Sequence, residues 1–586
     1  MEFKSFISKT LSIATLSIGV FSALTGCASS KNAEKSSETR LPKIDMGAWK
    51  YNESDNVYYQ LGIQYVSNPA DEKYENLGIF VPGSYFDGRE NGDGTYTVTV
   101  NKSKKAGGFT SETAPFVMPI QTPGYSACDA PADYVGQVKE YTDAGLIFVY
   151  AGARGRDHGL PAGVTDFKAA IRYVRHNKSV LPGDTYRFFT FGMSGGGAQS
   201  ALMGATGDAK EYDKYLREIG AAMDESDAVM GSMDWCPITN LNVADEAYEW
   251  ELGVARTGLD SETKAVSDGL AKEFALYINT LGLKDGKGDK LTLKQSPDGL
   301  YHAGSYYDHL KGVIETSLNN FLSDTVFPYN PDKQKSALGQ NMILPLDWKP
   351  RGPQGIGAAT ERPVSAEDMD GVSRKTGNTG NVDLSGTYET AESYIDALNK
   401  NEKWVIYDAK TNTAKIASVE AFMRNVKQLQ KNVGAFDSMD KSQPENTLFG
   451  LGDGKGLHFD EYMAKVLKES GSKLASEYEA DIAKKDALGS TTAERQNMYN
   501  PMYYLSEAYP GYRTSKVAKY WRIHAGIFQG DTAISTEMAY ALALENYGND
   551  VESVDFTEVW GLYHTEAERK GTSTGNFIEW VRKCLK

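Results

Sequence analysis

The chain has 586 residues, of which 40% are hydrophobic and 24% are charged, and its formal net charge is −16 at pH 7. This length predicts two or more structural units, and the ordinary hydrophobic content excludes both a disordered chain and a bundle of membrane helices. The acidic sequence contains no basic stripe, so it lacks the positive face that nucleic-acid binding requires.

The first residues have the features of an export signal. Lys4 and Lys9 precede an apolar run over residues 11–24, which is shorter than the roughly 20 residues that a membrane span needs. The run ends in Leu24-Thr25-Gly26-Cys27, which resembles the lipobox of bacterial lipoproteins. The resemblance implies a signal peptide over residues 1–26, a lipid on Cys27 and an extracytoplasmic protein held at the cell membrane. The alternative is a plain signal peptide with an incidental cysteine.

The segment after the signal peptide is a predicted tether over residues 27–50, because residues 28–40 are polar and poor in hydrophobic side chains. If Cys27 carries a lipid, three cysteines remain, and an odd number argues against a disulfide framework. No pair of cysteines has the spacing of metal ligands. We therefore expect neither a metal nor an organic cofactor.

Strand and helix patterns alternate between residues 51 and 250 and again from 501 to 586. Short β-branched and aromatic runs predict strands, and apolar residues spaced three or four apart predict helices. The first region has predicted strands at 77–81, 96–100, 115–120, 146–150, 187–191 and 228–232, and predicted helices at 166–177 and 196–203. The second region has predicted strands at 521–526 and 553–560, and predicted helices at 532–547 and 576–585. This alternation predicts an α/β fold around a doubly wound, mostly parallel sheet, and Asp166 is a candidate cap for the first helix.

Apolar strand runs mostly vanish between residues 251 and 500. Helical stretches there alternate with loops rich in glycine, aspartate and lysine, such as 282–290 and 371–386. We predict that this region is a large, mainly helical lid inserted into the core, which it divides into residues 51–250 and 501–586.

The motif Gly192-Met193-Ser194-Gly195-Gly196 follows an apolar strand and precedes a helix of small residues. This is the strand–turn–helix setting of a nucleophile elbow, in which the tight turn needs small neighbours and exposes the serine hydroxyl above the sheet. The helix N-terminus favours developing negative charge. Ser194 is therefore the predicted nucleophile. The alternative is a glycine-rich turn that only packs or binds phosphate.

A serine hydroxyl needs a base, and the usual chain order on this fold is serine, acid, histidine. His564 directly follows the last predicted strand, on the same edge of the sheet as the elbow, so we predict that it is the base. Asp531 is the carboxylate that follows the preceding strand, and we predict that it orients the imidazole. The alternatives are that His564 is a loop histidine without a role and that Asp531 only caps the next helix.

Two backbone N–H groups should bind the oxyanion of an acyl-transfer intermediate. Gly195 is predicted to supply one. The other should come from the loop at residues 121–125, where Pro123 has no N–H, which leaves Gly124 or Tyr125.

The elbow and the segments 235–240, 244–250 and 526–532 together resemble bacterial tannases. These enzymes are α/β-hydrolases that cleave galloyl esters and are close to feruloyl esterases. The core resemblance covers about residues 75–250 and 505–586, and it implies the same fold and the same class of reaction. In the insertion, Lys431, residues 435–437 and residues 445–450 resemble the lid segment that supplies substrate contacts. The resemblance implies that Lys431 and Glu445 bind phenolic hydroxyls; the alternative is that both are solvated lid charges.

One position departs from the family pattern. The triad aspartate of tannases lies three residues after a strand-end glycine, and counted from Gly526 that position holds Gln529. Asp531 falls where those enzymes place an aspartate that contacts a substrate hydroxyl. Either Asp531 has taken over the acid role or the triad is weakened, because a neutral amide does not stabilise imidazolium as a carboxylate does.

The sequence therefore predicts a serine carboxylic-ester hydrolase that acts through an acyl-enzyme on esters of aromatic acids, either small molecules or esters linked to polysaccharide. Two alternatives stay open. One is a serine peptidase or acyl-peptide hydrolase, since the fold serves many reactions. The other is a surface-binding lipoprotein with a weakened hydrolase site.

Overall fold

The computed structural model describes residues 41–331, 382–427 and 429–586. The predicted signal peptide, Cys27 and residues 28–40 of the tether lie outside the described residues, as do residues 332–381 of the predicted insertion. The lipid anchor therefore stays a prediction. None of the helices in the described ranges is long and apolar enough to cross a membrane.

The strands of the described residues are β1 (Lys50–Asn52), β2 (Val57–Gln64), β3 (Asn76–Pro82), β4 (Phe86–Glu90), β5 (Tyr96–Val100), β6 (Lys105–Ala106), β7 (Phe109–Thr110), β8 (Phe116–Ile120), β9 (Ile147–Ala151), β10 (Phe188–Met193), β11 (Gly231–Trp235), β12 (Val405–Asp408), β13 (Thr413–Ile416), β14 (Tyr520–Gly526) and β15 (Ser553–Val559).

The α-helices of the described residues are α1 (Val138–Asp143), α2 (Ala162–His176), α3 (Gly195–Ala205), α4 (Asp213–Glu218), α5 (Ala244–Leu252), α6 (Ser261–Leu281), α7 (Ser305–Asp324), α8 (Ala391–Leu398), α9 (Val419–Asn425), α10 (Pro444–Leu448), α11 (Glu461–Glu469), α12 (Ala475–Ile482), α13 (Thr492–Met498), α14 (Pro501–Leu505), α15 (Ile534–Asn546) and α16 (Ser573–Cys584). Short 3₁₀ turns lie at Gly83–Tyr85, Pro123–Tyr125, Arg156–His158, Lys210–Tyr212 and Gly253–Ala255.

A nine-stranded sheet with the order β1-β2-β3-β9-β8-β10-β11-β14-β15 forms the centre of the fold. The six strands from β9 to β15 in that order pair in parallel, and the pairs β1–β2, β2–β3 and β3–β9 are antiparallel. The predicted mostly parallel α/β sheet is confirmed. Because parallel strands end on a common edge, the loops after β8, β10, β11, β14 and β15 meet there.

The predicted strand at 96–100 forms but does not join this sheet. It is β5, which pairs with β4 in a separate two-stranded hairpin. Within the described residues, all nine strands of the main sheet come from residues 50–235 and 520–559. The described part of the predicted insertion is mainly helical and carries one hairpin, β12–β13. The exact domain boundaries stay a prediction.

Two local predictions are wrong, and buried ion pairs explain both. Helix α2 begins at Ala162, so Asp166 lies inside the helix, where its carboxylate binds the Arg154 guanidinium at 2.7 Å instead of capping. The strand predicted at 228–232 is β11, which starts three residues later. The preceding Asp227 is fully buried between Lys168, at 2.8 Å, and Arg172, at 2.6 Å, so these ion pairs hold the chain before the strand begins.

Candidate active site

Ser194 occupies the sharp turn between β10 and α3. Its φ of 62° and ψ of −125° are rare for a residue with a side chain, and such strain is typical of functional turns. The Ser194 amide donates to the Trp235 carbonyl at 2.9 Å, which fixes the turn against the end of β11. A Cβ atom on Gly195 would lie 2.6 Å from the Tyr125 amide nitrogen, so only glycine fits there. This is the geometry predicted for a nucleophile elbow.

His564 lies directly above the serine. Its Nε2 atom is 2.8 Å from Ser194 Oγ, although the two residues are 370 positions apart in the chain. The serine retains only 2% exposure, and the imidazole side chain retains 15%. For Nε2 to accept the serine proton, the hydrogen of the neutral ring must be on Nδ1. The arrangement therefore presents a base to the hydroxyl.

The Nδ1 atom of His564 is bound by Gln529, not by Asp531. Gln529 Oε1 lies 2.6 Å from Nδ1, whereas the closest distance from Nδ1 to the Asp531 carboxylate is 3.9 Å. The predicted orienting contact of Asp531 is therefore corrected: the neutral amide holds the ring, and Asp531 acts on it only as a nearby charge. Asp531 does not cap α15 either, because the capping position of that helix is Ala533.

The turn after β14 explains why residue 529 faces the imidazole. The Gln529 amide donates to the Gly526 carbonyl at 3.0 Å, and the Phe528 amide donates to the Leu562 carbonyl at 2.9 Å. A Cβ atom on Gly526 would collide with the Tyr563 carbonyl, so the turn packs directly against the loop that carries His564. This tight packing brings the third residue after Gly526 to the ring.

The predicted oxyanion loop follows β8 and lies against the elbow. The Tyr125 N–H already donates to the Thr122 carbonyl at 2.8 Å. The Gly124 amide nitrogen would lie 3.1 Å from a Cβ atom built on Gly195, and the Gly124 carbonyl accepts a 2.6 Å hydrogen bond from Arg156. This geometry favours Gly124 over Tyr125 as the partner of Gly195 in binding an oxyanion.

Helix α5 connects the lid loop to the loop of Gln529 and Asp531. The Tyr248 hydroxyl donates to the Gly530 carbonyl at 2.9 Å and accepts the backbone N–H groups of Gln430 and Lys431, each at 3.2 Å. Arg256 donates to the Lys431 carbonyl at 3.0 Å. Lys431 therefore reaches the site from a backbone that is fixed on both sides, and its Nζ lies 3.8 Å from the centre of the Phe436 ring.

Acidic side chains of the same helix bind backbone N–H groups on either side. Asp245 accepts from Phe436 and Asp437 at 2.9 Å each. Glu251 accepts from Ile534 at 3.0 Å and from Ser535 at 2.8 Å. In the sequence this segment is identified only through its resemblance, and Tyr248, Asp245 and Glu251 have no predicted role. The sequence does show four acidic residues within nine positions, and the structure shows that all nine are buried.

Lys431 and Asp531 act electrostatically both on the base and on Glu445. Burial lowers the pKa of His564, while the Asp531 carboxylate raises it and the Lys431 ammonium lowers it further. Burial raises the pKa of Glu445, which is 2% exposed, and the neighbouring charges of Lys431 and Arg156 oppose that rise. Lys431, Glu445, Asp531 and His564 thus share one charged environment, which argues against the alternative of solvated lid charges.

The described lid also contains a group of metal-ligand side chain types. Potential ligand atoms of His458, Glu477 and Asp481 lie within 4.8 Å of one another. The Lys441 ammonium is 2.7 Å from both carboxylates, so it already supplies the positive charge that they need. Asp437 binds His458 Nδ1 at 2.6 Å. We interpret this group as a structural ion-pair network of the lid.

The protein is similar to bacterial tannases over most of its length. Fusobacterium nucleatum tannase matches it with a TM-score of 0.64 at 25% identity, over 90% of this chain and 95% of that chain. The native tannin acyl hydrolase of Lactobacillus plantarum gives a TM-score of 0.59 at 26% identity, over 90% and 94%. A tannin acyl hydrolase in complex with ethyl gallate gives 0.60 at 26% identity, over 90% and 94%.

A family model described as BD-FAE matches residues 109–275, and no curated protein sequence matches the chain. The resemblance to tannases that the sequence motifs indicated is confirmed by these structures. The α/β-hydrolase fold with helical insertions is confirmed with it.

The charges around His564 predict the pH dependence of activity. A general base must be neutral, so kcat/KM should rise through a pKa below the usual histidine value of about 6.5 and stay level above it. Lys431→Met removes a charge that lowers this pKa, so it should move the acid limb to higher pH. Asp531→Asn should move the limb to lower pH, and the exposed lid variant Lys455→Met should leave it in place. Shifts of both site variants in one direction would contradict the assignment of His564 as the base.

Proposed function

We propose that this chain, which has the α/β-hydrolase fold of the bacterial tannases, is a serine hydrolase that cleaves esters of aromatic acids of the galloyl or feruloyl type. That it is a carboxylic-ester hydrolase rests on its similarity to tannin acyl hydrolases and to the BD-FAE family model. The observation that carries the serine mechanism is the 2.8 Å contact between Ser194 Oγ and His564 Nε2.

The first half-reaction forms an acyl-enzyme. Ser194 Oγ attacks the ester carbonyl carbon, and His564 Nε2 takes the hydroxyl proton as the new C–O bond forms. The carbonyl oxygen becomes an oxyanion, which the N–H groups of Gly195 and Gly124 are placed to bind. The imidazolium then gives its proton to the leaving alcohol oxygen as the ester C–O bond breaks.

The second half-reaction releases the acid. His564 takes a proton from a water molecule, whose oxygen attacks the acyl carbon, and the proton returns to Ser194 Oγ as the acyl–serine bond breaks. Gln529 holds the ring through Nδ1 in both steps, and the Asp531 carboxylate, 3.9 Å away, favours the imidazolium electrostatically.

The charged lid residues support a phenolic acyl group. Glu445 is buried, and its Oε2 atom has no hydrogen-bond partner among the described residues. A buried acceptor without a donor is unfavourable, and a phenolic O–H of the substrate would satisfy it. Lys431 offers a donor to a second hydroxyl in the same environment. One of the similar tannin acyl hydrolases is in complex with ethyl gallate, whose acyl group carries such hydroxyls.

The cell location and the anchor are part of the proposal. The lipobox-like sequence before Cys27 supports a lipid-anchored enzyme outside the cytoplasm, where esters of plant phenolics and polysaccharides are met. A peptidase is the second candidate hydrolase. The similarity to tannin acyl hydrolases and to the BD-FAE family model favours the ester hydrolase.

An active-site probe tests the mechanism and the location together. A fluorophosphonate that does not cross membranes should label intact cells that express the full chain, and the modified residue should be Ser194. Ser194→Ala should abolish labelling, and Cys27→Ser should release the labelled protein from the membrane fraction. Absence of labelling from wild-type protein, both purified and on cells, would overturn the hydrolase proposal. Labelling that is confined to lysed cells would overturn the proposed location alone.

A substrate panel tests the phenolic site. Lys431→Met and Glu445→Gln should raise KM for hydroxylated benzoate esters by about 10-fold or more, because the first removes a donor and the second replaces a carboxyl group by a weaker amide acceptor. KM for a simple acetate ester should stay within about twofold. The exposed lid variant Lys455→Met is the matched control and should change neither value. Equal losses on both ester classes would contradict phenol recognition, and faster cleavage of peptides than of any ester would favour the peptidase.

A further inference from the structure

A buried carboxylate holds the far end of the Gln529 amide. Gln529 Nε2 donates to Glu537 Oε1 at 3.0 Å, and Thr532 Oγ1 donates to the same oxygen at 3.1 Å. Glu537 lies in the first turn of α15 and is fully buried, and Gln529 is 1% exposed. Ser194, His564, Gln529 and Glu537 therefore form one continuous line of hydrogen bonds.

This contact decides which way the amide points. An ionised carboxylate only accepts hydrogen bonds, so Glu537 selects the NH₂ group of Gln529 and turns the amide oxygen toward His564. An amide oxygen at Nδ1 requires the ring hydrogen there, and the ring then leaves Nε2 free to accept from Ser194. With the amide reversed, the NH₂ group would face the Nδ1 hydrogen, and the ring would lose the tautomer that a base needs.

The charge on Glu537 follows from its neighbours. Glu558 is a second buried carboxyl group that acts on it electrostatically, and two such groups in low-dielectric surroundings do not both ionise readily. Burial raises the pKa of Glu537, and the buried Lys427 ammonium and the hydrogen bond from Thr532 oppose that rise, so the pKa lies at about 7. Burial and the Glu537 charge raise the pKa of Glu558 further. Glu537 is therefore the member of the pair that ionises first, and its Oε1 atom is the acceptor that faces the Gln529 amide.

We propose that Glu537 is the positioning residue that supplies the buried negative charge of this site across the neutral Gln529 amide. This inference rests on the proposed serine hydrolase function. It assigns to Glu537 the orienting work that a carboxylate directly on the imidazole does in a standard triad. Among the described residues, Asp531 makes no hydrogen bond to any member of this line of hydrogen-bonded side chains, and its own side chain is 26% exposed.

The experiment compares the effect of Glu537→Gln in two backgrounds, with an aryl acetate as substrate. In the wild-type background the substitution removes the charge beyond the amide, so kcat should fall by about 10-fold or more, with KM within about twofold. In a Gln529→Glu background, position 529 carries the carboxylate itself and Glu537 repels it. There Glu537→Gln should raise kcat, because the amide now at position 537 donates to the carboxylate now at position 529. The amide and the carboxylate have then exchanged positions, and the hydrogen bonds from Ser194 to position 537 are restored. A change of sign between backgrounds is the expected result.

Glu246→Gln is the matched control, because Glu246 is also a fully buried glutamate whose pKa is raised by burial and by the neighbouring Asp460. No hydrogen bond among the described residues joins it to Gln529. It should lower kcat equally in both backgrounds or not at all.

If Glu537→Gln does not fold, Glu537→Asp withdraws the carboxylate from position 529 and should show the same change of sign. A loss of equal size in both backgrounds would overturn the role of Glu537. If fluorophosphonate labels Ser194 in that case, the proposed function stands; if it labels no variant and no wild type, both fall.

Discussion

The site depends on the hydrogen bond between His564 and Ser194, and the order of strands in the central sheet brings these two distant residues together. The serine follows β10 and the histidine follows β15, and three strand-to-strand pairings separate these strands in the sheet. Because all the strands between them run parallel, both loops leave the same edge. The second ring nitrogen of His564 binds Gln529 in the loop after β14. Residues that follow β10, β14 and β15 therefore fix one ring. A ring held from two sides keeps the geometry that general base catalysis needs.

The lid residues reach this ring through one short helix of the core. Helix α5 uses its polar side chains to bind backbone N–H groups of the lid loop and of α15, and Tyr248 joins both regions to the Gly530 carbonyl. Buried carboxylates are costly unless such donors satisfy them, so the energy of their burial depends on the lid being in place. Lys431, for which we propose a substrate contact, is therefore positioned by the core, although it belongs to the insertion.

Much of the fold and part of the site could be predicted from the sequence. The strand before Ser194 is a buried apolar run, the strand before His564 alternates apolar and polar residues, and the elbow motif has a steric reason for each glycine. The choice between Gln529 and Asp531 could not be made in this way. Both follow the same strand, and which side chain meets the ring depends on how closely the turn at Gly526 packs against Tyr563. That contact joins distant parts of the chain and leaves no periodic signal.

The same limit applies to Glu537 and to the oxyanion loop. Glu537 is one acidic residue near the start of a predicted helix, and the sequence gives it no role. Only the structure places it in hydrogen-bond contact with Gln529 and beside the buried Glu558 and Lys427. The choice between Gly124 and Tyr125 stayed open until the 3₁₀ turn showed the Tyr125 N–H to be occupied.

A crystal structure of the protein after reaction with a small aryl phosphonate would show which atoms hold the reacting group. We expect a phosphorus atom bonded to Ser194 Oγ, its oxygen about 2.7–3.1 Å from the amide nitrogens of Gly195 and Gly124, and His564 still bound to Gln529. A phosphonate on another residue, or an oxygen that faces away from those two N–H groups, would contradict the proposed mechanism.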